Sequence, residues 1–262
     1  MNSYQQPSKQ AIAQSFSKAA AGYDKAAELQ RIIGYQLIKQ IPESITPLSL
    51  IDLGCGTGYF TRQLQQRFDY ANVIGIDLAE GMLKQSQLQD KTCYWLVGDA
   101  EQLPILNNSL DLIFSNLAVQ WCHDFAKVLD EAYRVLKPKG KFIFSSLCKG
   151  TLTELEESWR VVDNYIHVNN FLEFTNYQQL LKVSPFSIIH CELCQQQTFY
   201  KDLKVLMKDL KAIGAHNINP QRKQGLTATG DFKKLLTAYE VFRMEQGLPT
   251  TYQVIYSLLE KR

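Results

Sequence analysis

No apolar run in this 262-residue chain approaches the length needed to span a bilayer. The first ten residues, MNSYQQPSKQ, hold no apolar core of a secretion signal. Both absences point to a cytoplasmic chain with no membrane partner. An excess of one charge is also missing. Lys and Arg number 28 against 26 Asp and Glu, and a net of +2 argues against general nucleic-acid binding. Cysteine is sparse and scattered, at 55, 93, 122, 148, 191 and 194, and reads as six reduced thiols. The single Cys-x-x-Cys, Cys191–Cys194, overlaps an alternating stretch, Ser187–Leu193. Residues three apart in a strand point to opposite faces, and no second pair exists to complete a zinc site. No metal is expected. Repeats, low-complexity tracts and dividing linkers are absent as well, so one domain over 1–262 is expected, its 45% hydrophobic content enough for a sizeable core.

What is present is a row of ligand-facing polarity at the ends of three successive strands. Asp52-Leu53-Gly54-Cys55-Gly56-Thr57-Gly58 closes the first; Asp77 and Asp99 close the next two, each about twenty residues on. Glycines that let backbone approach a ligand, followed by an acid on the next strand, describe a ribonucleoside cradle. A dinucleotide fingerprint needs its third glycine where Tyr59 stands. A carboxylate at Asp52 repels a pyrophosphate and suits a cation. S-adenosylmethionine, with a sulfonium, an α-amino group and no phosphate, fits that polarity.

The strands alternate with helices. Leu48–Leu53, Asn72–Ile76, Tyr94–Val97, Leu110–Ser115 and Lys141–Leu147 are short and apolar, as in a sheet buried on both faces. Helical patterns occupy Phe60–Phe68, Glu80–Leu88 and Phe125–Leu136, with Pro138 and Gly140 ending the last. The alternation predicts a parallel sheet with right-handed crossovers. Two further strands, Ser187–Leu193 and Tyr252–Leu258, follow helical insertions at 151–176 and 201–246, expected over the carboxyl ends of the strands. Ser8–Pro42, within a cover at 1–45, repeats Ile12, Phe16, Ala20 and Tyr23 at helical spacing. It reads as a packing helix, an active-site cover, or both.

The glycine loop resembles the first motif of class I S-adenosylmethionine-dependent methyltransferases. That resemblance implies an α/β Rossmann-like sheet of seven strands, mostly parallel with one antiparallel late strand, helices on both faces and helical lid insertions. It also implies that Gly54 and Gly56 bring backbone to the methionine moiety, Asp77 accepts from the ribose hydroxyls, and Asp99 with Ala100 reads the adenine. The implied cofactor set is completed by Asp52, Gly58, Leu78, Met82, Glu101 and Asn116.

Other segments sharpen the likeness. Phe16–Asp24 with Ala27–Arg31, Ser115–Cys122, Asp163–Phe171 and Gly247–Tyr252 are similar to the malonyl-[acyl-carrier protein] O-methyltransferases of biotin synthesis. Ala79 and Lys139 depart from that pattern, where a hydroxyl residue and a glycine are common. The resemblance implies methyl transfer to the free carboxylate of a malonyl thioester. A carboxylate is ionised at pH 7 and needs no general base, so the lack of an evident catalytic dyad accords with that chemistry.

Candidate substrate groups are Tyr23 on the cover, Gln120 and Trp121 after the fourth strand, and His167 and Asn169 in the first insertion. Tyr23 and Trp121 read equally well as packing residues, and His167 reads more readily as structural than as a substrate group. Arg31, Arg134, Arg160, Arg222 and Arg243 each have the geometry to clamp a carboxylate. The segment 201–243 carries nine Lys or Arg against four acids. Lys201, Lys204, Lys208 and Lys211 step along one helix face while Leu203, Leu206, Leu210 and Ile213 step along another. That stripe reads as a solvated face or as a dock for an acidic acyl carrier protein bearing malonyl. Two other functions fit the first half of the chain. One is a methyltransferase of a small carboxylate or a quinone; the other is an interaction module that binds the cofactor without catalysis.

Overall fold

The computed structural model describes residues 6–215 and 228–262. Arg222 and Lys223 of the second insertion lie outside the described residues. The amino-terminal segment forms two helices, α1 (Lys9–Ala26) and α2 (Glu28–Lys39), where the sequence pattern suggested one. Ser8 caps α1 by accepting from the Ala11 amide, and the chain turns at Ala27 (φ −89°, ψ 33°). That turn changes the direction of the cover at the point where it crosses the glycine loop.

Seven strands then build one sheet. β1 (Ser49–Leu53), β2 (Asn72–Asp77), β3 (Tyr94–Val97), β4 (Leu110–Asn116) and β5 (Leu136–Cys148) are joined by α3 (Tyr59–Arg67), α4 (Glu80–Gln89) and α5 (Phe125–Val135). β6 (Phe186–Tyr200) and β7 (Leu248–Lys261) complete it in the order β3-β2-β1-β4-β5-β7-β6. β1 to β5 run parallel, and β7 is antiparallel to both β5 and β6, giving the expected antiparallel late strand.

Alternate residues of the central strands feed two cores. Leu50, Leu112, Phe114 and Ile143 pack with Ile33, Leu37 and Phe60 on one face. Ile51, Ile113, Phe142 and Phe144 pack with Val128 and Leu129 of α5 on the other. Both faces are therefore apolar, as the unbroken hydrophobic strands required. The chain leaves β1 toward β2 on one side and returns through β4 on the other. That reversal opens a crevice at the carboxyl ends of β1 and β4.

The two insertions carry α6 (Thr153–Arg160), α7 (Phe174–Val183), α8 (Leu203–Ala212) and α9 (Thr229–Glu240). The start of β7 anchors them. Glu154 on α6 accepts from the Thr251 hydroxyl at 2.5 Å and its amide at 3.1 Å, and Tyr239 on α9 donates to the Pro249 carbonyl at 3.0 Å. The Gly247–Tyr252 motif is thus the seat of the lid helices. Among the described residues no helix is long and apolar enough to cross a membrane.

Candidate active site

The turn after β1 is held open by left-handed backbone at Gly54 (φ 72°) and Gly56 (φ 54°). A Cβ on Gly54 would lie 2.1 Å from the Ala118 methyl, so only glycine lets this turn approach the loop after β4. The Gly54 and Cys55 amides donate back to the Ile76 carbonyl at 2.7 and 3.0 Å. Asp77, at the end of β2, fixes the next turn. One carboxylate oxygen accepts from the Gly56 amide at 2.8 Å and the other from the Ala79 amide at 2.7 Å. Burial raises its pKa, while these backbone donors pull it back down.

Asp52 is buried in β1 and accepts from the Thr61 hydroxyl at 2.6 Å. Burial, with the nearby Asp77 charge, pushes its pKa up to about 7, against the pull of Thr61. It lines a small cavity, about 430 Å³ of partly open space, together with Tyr23, Gln30, Arg31 and Gly56.

The main cleft, about 790 Å³ and partly open to solvent, runs along these strand ends. Gly54, Gly56, Asp77 and Asn116 wall one end; Leu78 and Met82 form a side; Asp99 and Ala100 close the far end. Helix α1 roofs it with Ile12, Phe16 and Tyr23. Three contacts tie that roof down. Ser17 accepts from the Gly81 amide at 3.1 Å, Asp24 accepts from the Thr57 hydroxyl at 2.6 Å, and Lys9 reaches Asp99 at 2.5 Å and Glu101 at 3.1 Å. Burial lowers the Lys9 pKa, but its bonds to the two acids outweigh this and raise it overall.

Lys9 was not foreseen. Its partners are some ninety residues away, and no local pattern marks it.

Three expected cofactor residues do not line the main cleft: Asp52, which borders the small cavity beside it, Gly58 and Glu101. A Cβ on Gly58 would meet the Trp95 ring at 2.2 Å, and its positive φ starts α3. Its smallness therefore serves packing against Trp95. Glu101 acts behind the cleft, accepting from the His123 amide at 2.6 Å and from Lys9. Asn116 lines the cleft and ties the cover to the sheet, donating to the Gln30 carbonyl at 3.0 Å and accepting from the Ser145 hydroxyl at 2.8 Å.

A second cavity, about 730 Å³ of space partly open to solvent, adjoins the first under α1, α8 and the first insertion. Tyr23, Gln120, Trp121, His167 and Asn169, the five candidate substrate residues, all line it. Phe16, Tyr23, Leu117 and Trp121 wall both cavities, and the Phe16 and Trp121 rings meet edge-on at 5.1 Å. Burial, then the Asp77 and Asp24 charges, raises the Tyr23 pKa, so its phenol stays protonated as a donor.

Gln120 is held by the Leu117 carbonyl at 2.7 Å and the Ser146 hydroxyl at 3.2 Å. His167 stacks on Trp159 at 3.6 Å and its Nε2 pairs with Asp163 at 2.6 Å, so one ring face and one nitrogen are committed to structure.

Of the described arginines, Arg31 alone borders one of these three cavities. Arg134 is bound to Glu131, Arg160 to Glu156 and Arg243 to Glu240, which removes them as clamps. No group of three or more potential metal ligands occurs among the described residues.

Comparison with known proteins places this geometry in context. A family model described as a methyltransferase domain matches residues 51–144. The malonyl-[acyl-carrier protein] O-methyltransferase of Hahella chejuensis is 40% identical over 248 residues, covering 94% of this chain and 88% of that one. That of Gallionella capsiferriformans is 38% identical over 258 residues, covering 95% and 89%. A biotin biosynthesis bifunctional protein of Cellvibrio japonicus is 43% identical over 254 residues, and this chain spans half of its length. Among solved structures, a putative methyltransferase of Bacillus halodurans superposes with a TM-score of 0.60 at 16% identity, covering 87% of this chain and 99% of that one. At that identity the likeness is one of fold.

Proposed function

The chain belongs to the malonyl-[acyl-carrier protein] O-methyltransferase family, and we propose that it methylates the free carboxylate of a malonyl group held on an acyl carrier protein. The methyl donor is S-adenosylmethionine, and the product is the malonyl methyl ester that starts pimeloyl synthesis for biotin. The observation that carries this reading is the shared wall of Phe16, Tyr23, Leu117 and Trp121, across which donor and acceptor sites meet. On this reading the whole chain is one catalytic domain working in the cytoplasm, where its free thiols stay reduced.

The main cleft fits S-adenosylmethionine. Asp77 faces it as an acceptor for ribose hydroxyls, Leu78 and Met82 offer apolar surface for adenine, and Gly54 and Gly56 expose backbone at the methionine end. Arg31 and Asp52, in the adjoining small cavity, suit the carboxylate and ammonium of the methionine. When bound, the co-substrate supplies a methyl on a sulfonium leaving group. The protein's own part is then positioning. Tyr23 donates to one oxygen of the acceptor carboxylate and leaves the other for attack. Phe16 and Trp121 exclude water, which would otherwise blunt the nucleophile. Alignment of this kind supplies roughly 7–11 kcal/mol without a proton transfer.

Carrier docking is assigned to the outer face of α8. Lys204, Lys208 and Lys211 are exposed there and Lys201 just before it, while Leu203 and Leu206 are buried. Leu210 of the same helix and Ile213 at its C-cap wall the second cavity, so a carrier held on the lysines sits next to the acceptor site. Malonyl-carrier protein, malonyl-coenzyme A and aconitate, compared as acceptors, test the assignment. The carrier substrate is expected to lead, and a preference for aconitate would overturn it.

A further inference from the structure

Half of the residues lining the second cavity are aliphatic, with Leu147, Leu152, Leu155, Val168 and Leu210 prominent. Its polar points are few. Among the described residues, two buried carboxamide oxygens on this cavity's wall, Gln30 Oε1 and Asn169 Oδ1, have no hydrogen-bond partner, Gln30 standing where this cavity meets the small one. An unsatisfied buried carboxamide is costly, on the order of 1–3 kcal/mol, and native proteins keep few of them. They come from separate elements, α2 and the loop between α6 and α7, so a single local turn does not account for both.

A primary carboxamide both accepts from N–H and donates to C=O, which makes it the neutral side chain best matched to a secondary amide. The malonyl carboxylate offers oxygens only, and an unpartnered carboxamide oxygen repels it. The arm that links a malonyl thioester to its carrier, pantetheine, has two secondary amides separated by methylene groups, and beyond them a dimethyl carbon. Two carboxamides on an aliphatic wall match that pattern.

We propose that this cavity receives the pantetheine arm, with Gln30 and Asn169 each pairing with one of its amides. The proposal rests on the reading of the acceptor as a malonyl thioester. Helix α8 then serves both ends of the substrate, its lysines facing the carrier and its Leu210 and C-cap Ile213 facing the arm.

The test compares malonyl-pantetheine with the S-ethyl malonyl thioester, which has the same reacting group and no amide. The readout is the ratio of their kcat/KM values in wild type, Asn169→Leu and Gln30→Met, the last because it keeps side-chain length. Each substitution is expected to lower the ratio roughly tenfold, the loss of one buried amide pairing. A general disturbance of folding or cofactor binding lowers both rates and leaves the ratio alone, so an unchanged ratio in both variants overturns the proposal. Failure of the wild type to methylate malonyl-carrier protein itself would instead refute the malonyl reading and this proposal with it.

Discussion

Lys9 Nζ lies 2.5 Å from Asp99 Oδ2, which ties the first turn of the cover helix to the acid that closes the far end of the cleft. The same ammonium reaches Glu101 at 3.1 Å. An ion pair with about a third of its surface exposed contributes roughly 0.2–1 kcal/mol, so this contact is a latch that opens readily. Lys9→Met is expected to weaken S-adenosylmethionine binding about two- to fivefold, chiefly through faster dissociation. Stopped-flow release of the cofactor at low and high salt checks this, and wild type should approach the variant as salt rises.

Asp77 does two jobs with one carboxylate, holding the Gly56 and Ala79 amides while facing the cleft. Asp77→Ala therefore loosens the glycine turn as well as removing an acceptor for the ribose. The expected loss in cofactor binding is on the order of 1.5–3 kcal/mol or more, since a charged acceptor is lost. Calorimetric titration decides it, and unchanged affinity would place the ribose elsewhere.

Asp52 makes stability depend on pH in a stated direction. Its pKa is near 7 in the fold, above its ordinary carboxylate value, so the folded state binds the proton more tightly than the unfolded chain. Stability from this group is fully present below about pH 4, the unfolded value, and falls as pH rises to about 7. Asp52→Asn keeps an acceptor for Thr61 and cannot ionise. The variant is expected to gain on wild type by a few kcal/mol at most between pH 5 and pH 8, measured by urea unfolding without cofactor. A parallel pair of pH profiles would contradict the assignment.

Reversal of Lys204 and Lys208 to glutamate leaves Leu203 and Leu206 buried, so the helix should still pack. Activity on malonyl-carrier protein is expected to fall through slower association, with the loss shrinking at high salt. Malonyl-coenzyme A, if used, should be little affected. Equal losses on both would move the lysines' role from docking to the pocket.

The sheet was legible because its central strands are buried on both faces and read as plain apolar runs. The last two strands ran beyond their expected ends for a physical reason. Gln195, Gln196, Gln197 and Thr198 carry no apolar signal, yet they pair along the whole start of β7, from Thr250 to Gln253. At β5 the ladder jumps from Leu136 to Lys141, leaving Pro138, Lys139 (φ 68°) and Gly140 in an irregular segment that the sequence marked only as a break. Within the site, Asp77, Asp99 and the first two glycines line the main cleft, and Asp52 the small cavity beside it. Gly58 does not, because a repeated glycine looks alike whether it faces a ligand or the Trp95 ring. Lys9 was invisible for the opposite reason, since its partners Asp99 and Glu101 lie far away in the chain.

The central claim is that a carboxylate oxygen takes the methyl group across the wall formed by Phe16, Tyr23, Leu117 and Trp121. Mass spectrometry of carrier protein after reaction with S-adenosylmethionine tests it most directly, using malonyl- and acetyl-loaded carriers side by side. The account predicts that the malonyl carrier alone gains one methyl group, released as methanol when the acyl group is fully hydrolysed, as an ester must be. Methylation of the acetyl carrier, or a methyl retained on the hydrolysed acid, would contradict it.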